Sequence, residues 1–131
     1  MTHVKNIPHI LKHGITHQNS PNKNPDYVQI GFPGLITKRE KVIVLGRNKL
    51  SDYIPFYFGY RMPMLYVIKH GNNSATYNMN SISNEDVVYC ITNLDQIINH
   101  GLGFAFSNGH ALSAFTDFFN VEDVGKYSQH N

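Results

Sequence analysis

The chain has 131 residues, 41% of them apolar and 15% charged, which suits one domain with a real core and favours a globular chain over a disordered one. It has a single cysteine, Cys90, so there is no disulfide framework, and no apolar run nears the ~18 residues of a membrane span. The net charge of +2 hides a split: residues 1–70 carry ten Lys/Arg against three acids, and residues 71–131 one lysine against six. A half charged +7 beside a half charged −5 hints at a polyanionic partner for the first.

In chain order, MTHVKNIPHILKHG lacks the long apolar core of a signal peptide, so a cytoplasmic protein is expected. Within it Asn6 is an N-cap candidate, Pro8 sits where a first helical turn tolerates proline, and Gly14 suits a C-terminal stop. Ile7, Ile10 and Leu11 share a face, which predicts a helix over 7–13. QNSPNKNPD (18–26) is loop by composition. YVQIGF (27–32) is a short strand or turn. KVIVL (41–45), MLYVIK (64–69), DVVYCIT (86–92) and GFAFS (103–107) read as strands. NLDQIINHGL repeats the first capping pattern and predicts a helix over 94–100. GHALSAFTDFF (109–119) has helical spacing. Strands and short helices mix without βαβ regularity, so the expected class is α+β.

The chain has no GxGxxG, GxxxxGK[ST], CxxC pair or GxSxG. His9 and His13 are spaced i,i+4, but a zincin helix would need Glu at position 10, which is Ile10, so no metal is expected. Arg39 in ITKREKVIV has the chemistry to hold a phosphate bidentately, or to be a solvated loop charge. Arg61 lies between Tyr60 and Met62, suited to an aromatic face or a phosphate. His110 follows Asn108-Gly109 in what reads as either an anion-binding helix start or a capped turn. SDYIPFYFGYRMPMLY (51–66) holds six aromatic residues, punctuated by Pro55, Gly59 and Pro63. Core, a stacking platform for bases and a pocket for a planar cofactor are all open for it.

LSDYIPFYFGYRMPMLYVIKHGN resembles the signature block of the DarT family, bacterial NAD-dependent toxins that ADP-ribosylate single-stranded DNA on thymidine. The resemblance extends through THVKNIPHILKHGI, IGFPGLITKREKVIV and ITNLDQIINHGLGFAFSNGHALSAFTDFFN, nearly the whole chain in the family's order. It implies a single ADP-ribosyltransferase-like domain over 1–131: a split, mixed β-sandwich with short flanking helices around an NAD cleft. It also implies NAD as co-substrate, single-stranded DNA as partner and a macrodomain antitoxin as a further one.

By the same resemblance Thr2 and His3 match the family's NAD-contacting pair and Arg39 its essential arginine, with Lys38 beside it on the DNA side. His110 matches the histidine of its DGHA-like turn, making Arg39 and His110 the catalytic pair here. Tyr57 and Met64 fall on the cleft wall near nicotinamide, and Tyr60 and Arg61 in the DNA groove. The family's catalytic glutamate lies in a downstream strand. Here FFNVEDVGK is followed by YSQHN, and neither Glu85 nor Glu122 sits in the matching motif. The expectation is therefore a relative shortened at its C-terminus. It is either the transferase, a catalytically silent NAD- and DNA-binding module, or a regulator that sequesters the antitoxin.

Overall fold

The computed structural model describes residues 1–59, 63–71 and 81–120. In chain order the elements are β1 (Thr2–His3), α1 (Ile7–His13), α2 (Pro33–Arg39), β2 (Ile43–Val44), β3 (Asn48–Lys49), α3 (Pro63–His70), β4 (Val87–Val88), α4 (Leu94–Asn99), β5 (Phe106–Ser107) and β6 (Phe118–Phe119), with 3-10 turns at 4–6, 50–52 and 84–86. Among the described residues the strands form three separate antiparallel pairs, β1–β4, β2–β3 and β5–β6. The chain divides into two compact units, Met1–Ile36 with Ile54–Cys90 and Thr37–Tyr53 with Ile91–Asn131.

The first unit is built on Ile30 and Ile68, 5% and 0% exposed, with Met1, Phe32, Met64, Ile82 and Val87 packed against them. Residues 64–69, expected as a strand, are helical instead. Pro63 opens α3 where no N–H is needed, and Gly71 closes it at φ 67°, donating to Val67 O at 2.8 Å. Met64 and Ile68, four apart, then turn one face to the core. A six-residue apolar run is ambiguous by period, and here the Pro and Gly at its ends decide it. Ile82 N donates to the carbonyl of Ile68, near the end of α3, at 2.9 Å.

β1 lies against β4 with Thr2 opposite Val88 and His3 opposite Val87. Behind it Asn6 is 1% exposed. It begins α1, as expected, but its side chain caps nothing. Its Nδ2 donates to Thr2 Oγ1 at 3.0 Å and to Val28 O at 2.8 Å. Its Oδ1 accepts from Val28 N at 2.8 Å and from Asn24 Nδ2 at 3.5 Å. A carboxamide has two donors and two lone pairs, and all four are used. The doubled bond to Val28 copies the reciprocal pair that two strands exchange. It gives 27–32, which adopts no regular strand, a fixed place. α1 spans the expected residues, although Leu11 is 82% exposed.

In the second unit Val44 (1% exposed) and Leu50 (8%) are the buried apolar side chains among the described residues. β2 and β3 form a hairpin in which Ile43 faces Lys49 and Val44 faces Asn48. Leu45 and Gly46 turn the chain at φ 51° and 66°, and Arg47 N closes the turn on Val44 O at 3.1 Å. Two successive positive φ angles with that bond match a type I′ turn, which prefers Asn, Asp or Gly. α4 follows expectation, with Asn93 Oδ1 accepting from Gln96 N at 2.9 Å and Gly101 at φ 64° after its end.

Residues 109–119, expected as a helix, instead close the β5–β6 hairpin, where Phe106 faces Phe119 and Ser107 faces Phe118. Local polar side chains outbid the helix for the backbone. Asn108 Oδ1 takes the N–H of Asp117 at 2.9 Å, Thr116 Oγ1 donates to His110 O at 2.7 Å, and Ser107 Oγ donates to Gly109 O at 2.9 Å.

Two stability tests follow from these contacts. Asn6→Ala removes the partners of both part-buried polar groups of Val28, and is expected to cost about 2 kcal/mol in denaturant unfolding. Leu45→Asn relieves a left-handed leucine and is expected to gain on the order of 1 kcal/mol; an unchanged midpoint would show that the turn stores no strain.

Candidate nucleotide site

Of the residues singled out by sequence, Thr2, His3, Tyr57 and Met64 lie in the first unit and Lys38, Arg39 and His110 in the second. Tyr60 and Arg61 lie outside the described residues, as does Glu122.

Thr2 and His3 are buried side by side in β1, 7% and 8% exposed. His3 Nδ1 accepts from Lys5 N at 3.1 Å. A ring nitrogen that accepts carries no proton, so the neutral imidazole bears its proton on Nε2 and offers a donor there. His110 is held alike, Nδ1 accepting from Leu112 N at 3.3 Å, on an exposed turn rather than at a helix start. Met64 belongs to the first unit's core. The aromatic stretch divides: Phe56, Tyr57 and Phe58 are exposed by 48%, 54% and 88% on irregular backbone, and Tyr66, on α3, by 69%. That argues against core as the use of Phe56 to Phe58.

Lys38 and Arg39 end α2, where cations suit the helix dipole. Lys38 is exposed. Arg39 is half-buried, and its Nη2 donates to two backbone carbonyls, Leu50 at 3.0 Å and Tyr53 at 2.8 Å. The same turn is held from its other end by Asp52 Oδ2, which takes the N–H of Lys49 at 3.0 Å. Arg39 therefore fixes the backbone that carries Tyr53, whatever else its guanidinium touches.

Next to that turn is a concavity of about 410 Å³, within the range of small-ligand sites. Its walls include Arg47, Asn48, Tyr53, Gly103, Phe104 and Asn120, all of the second unit. The ring of Phe104 stands edge-on to Phe106 at 5.3 Å and 78°, which holds it in place. Of these six the sequence singled out Tyr53 alone, as part of the aromatic stretch 51–66. The hairpin that delivers Arg47 and Asn48 depends on the Leu45-Gly46 turn, and Leu-Gly is not a recognised signal for that turn. His9 and His13 stack at 4.7 Å. Among the described residues no three metal-ligating side chains come together.

The family profile of DarT, described as ssDNA thymidine ADP-ribosyltransferase, matches residues 1–127. The chain belongs to the DarT family. A DNA ADP-ribosyl transferase of Escherichia coli O127:H6 is 34% identical over 121 residues, covering 91% of this chain and 54% of the relative. One from Thermus sp. strain 2.9 is 31% identical over 123 residues, covering 91% and 55%. The solved structure of Thermus sp. 2.9 DarT in complex with ADP-ribosylated ssDNA superposes with a TM-score of 0.74 at 29% identity, covering 95% of this chain and 58% of that one. The likeness bears out the α+β, ADP-ribosyltransferase-like fold. The chain spans about half the length of the curated DarT relatives it matches.

The double carbonyl contact of Arg39 sets up a separation of roles within this DarT chain. Arg39→Ala is expected to lower stability by about 1–3 kcal/mol, since hydrogen bonds from a charged donor are among the stronger ones. Arg39→Lys, which lacks the planar fork, should recover only part of it. Thermal melts recorded beside NAD titration read both effects; an unchanged melting temperature in Arg39→Ala would show that the carbonyl contacts carry no weight.

Proposed function

We propose that this chain carries the DarT reaction: transfer of ADP-ribose from NAD to thymidine bases of single-stranded DNA, in the cytoplasm, as the toxin of a toxin–antitoxin pair whose antitoxin is a macrodomain protein. The observation that carries this reading is the family match over residues 1–127, joined to the likeness with a DarT solved in complex with ADP-ribosylated ssDNA. In this reading Thr2, His3, Arg39, Tyr57 and Met64 contact NAD, Lys38, Tyr60 and Arg61 meet the DNA, and Arg39 and His110 serve the chemistry. The buried pair Thr2–His3 suits the part. Thr2 Oγ1 accepts from Asn6 and keeps its own hydroxyl proton to donate, and His3 presents an N–H. These are groups for holding ribose hydroxyls and carbonyls.

Breaking the nicotinamide–ribose bond builds an oxocarbenium-like centre, which a carboxylate must steady while it activates the acceptor base. Among the described residues the side-chain hydrogen bonds of Thr2 and His3 run to Asn6 and Lys5. The second reading is a module that binds NAD and DNA without transferring. Holding the ground state does not lower the barrier, and general-base help is typically worth 10²–10⁴-fold.

Incubation with NAD and a thymidine-containing oligonucleotide, followed by mass spectrometry, separates the two. An ADP-ribose adduct on thymidine establishes the transferase. Binding of both ligands with no adduct establishes the silent module, and binding of neither removes both readings. DNA affinity is expected to fall as salt rises, because phosphate contacts release counterions; a flat response would argue that the +7 half makes no phosphate contacts.

A further inference from the structure

The 410 Å³ concavity of the second unit has a composition of its own. Arg47 is exposed, and its guanidinium has no hydrogen bond or ion pair to another described residue. A cation with five donors is thus presented at the rim of a pocket. Tyr53 and Phe104 supply aromatic surface inside it, one fixed by the Arg39 clamp on its backbone and the other by its edge contact with Phe106. Asn48 adds an exposed carboxamide able to donate and accept, and Asn120 lines the pocket with it. At Gly103 an added Cβ would meet nothing within 4 Å, so the floor is open there. A phosphate is matched by guanidinium, a planar heterocycle by aromatic faces, and the edge of that heterocycle by amide groups.

We infer that this pocket binds one nucleotide unit, with Arg47 on the phosphate, Tyr53 and Phe104 against the base, and Asn48 at the base edge. The inference rests on the DarT reading above, which supplies two sources of that chemistry, a nucleotide of the DNA strand and the adenylate half of NAD. It goes beyond that reading in assigning the contact to Arg47, and it gives Arg39 the part of positioning Tyr53 rather than of meeting the phosphate in this pocket.

The test uses the full chain and two probes titrated separately, a short single-stranded thymidine-containing oligonucleotide and NAD. Arg47→Ala is expected to weaken binding of one probe roughly tenfold, with the melting temperature little changed because the side chain is exposed. For the oligonucleotide the slope of log affinity against log salt should also become shallower by about 0.7, the signature of one lost phosphate contact on a single strand. Phe104→Ala should weaken the same probe by roughly tenfold, and Phe104→Tyr should restore it, since stacking asks only for an aromatic face. A loss confined to the oligonucleotide assigns the pocket to DNA, and a loss confined to NAD assigns it to the adenylate. If wild type binds a probe and Arg47→Ala binds both probes as wild type does, the pocket assignment is overturned and the DarT reading stands. If wild type binds neither probe, both fall.

Discussion

The saturated carboxamide of Asn6 is the constraint on which the first unit depends. Its four hydrogen bonds join the strand that carries Thr2 and His3, the start of α1 and the loop at 24–28. A strand of two residues has too few ladder bonds to hold a register alone. Asn6 supplies the missing order by acting as a piece of peptide for Val28. It is buried at 1% and leaves no polar atom orphaned, which is the condition under which a buried polar group specifies structure instead of weakening it. The position of the Thr2 hydroxyl is thus tied, through Asn6, to Val28, twenty-two residues beyond that asparagine.

The second unit solves a similar problem with a charge. Among its described residues two buried apolar side chains, Val44 and Leu50, are little core. The 50–53 turn is held by Arg39 on its carbonyls and Asp52 on the preceding amide. Polar clamps of this kind place residues with little help from packing, and they suit surfaces that must meet a hydrophilic ligand. The left-handed Leu45 beside the pocket fits the same pattern, a local cost borne where the backbone is aimed at something.

Much of this was legible in the sequence. The two helices with an Asn before them and a Gly after were found because the termini carry their own chemistry, although only Asn93 uses its side chain as a cap. The same chemistry was present around 64–69 in Pro63 and Gly71, and there a run of β-branched and aromatic residues masked it. Residues 109–119 misled because Leu112, Phe115, Phe118 and Phe119 are helically spaced while Asn108, Ser113, Thr116 and Asp117 claim the backbone for turns. The family resemblance lay in the long aromatic block, and it led to the fold. The resemblance, through a matched motif, gave Arg39 an expected part in holding NAD. The two carbonyls that its Nη2 reaches are eleven and fourteen residues away, a relation no local pattern expresses.

One contact of the first unit has a bearing on how such chains vary. Ile68 O receives the N–H of Ile82, and Gly71 N is returned to Val67 O one turn earlier. Both bonds are made by backbone groups that any residue possesses. A substitution at Ile82 other than proline therefore keeps its bond to the end of α3 while changing only what its side chain packs against Ile30 and Ile68, so the anchoring of the chain at this point and the filling of the core can vary separately.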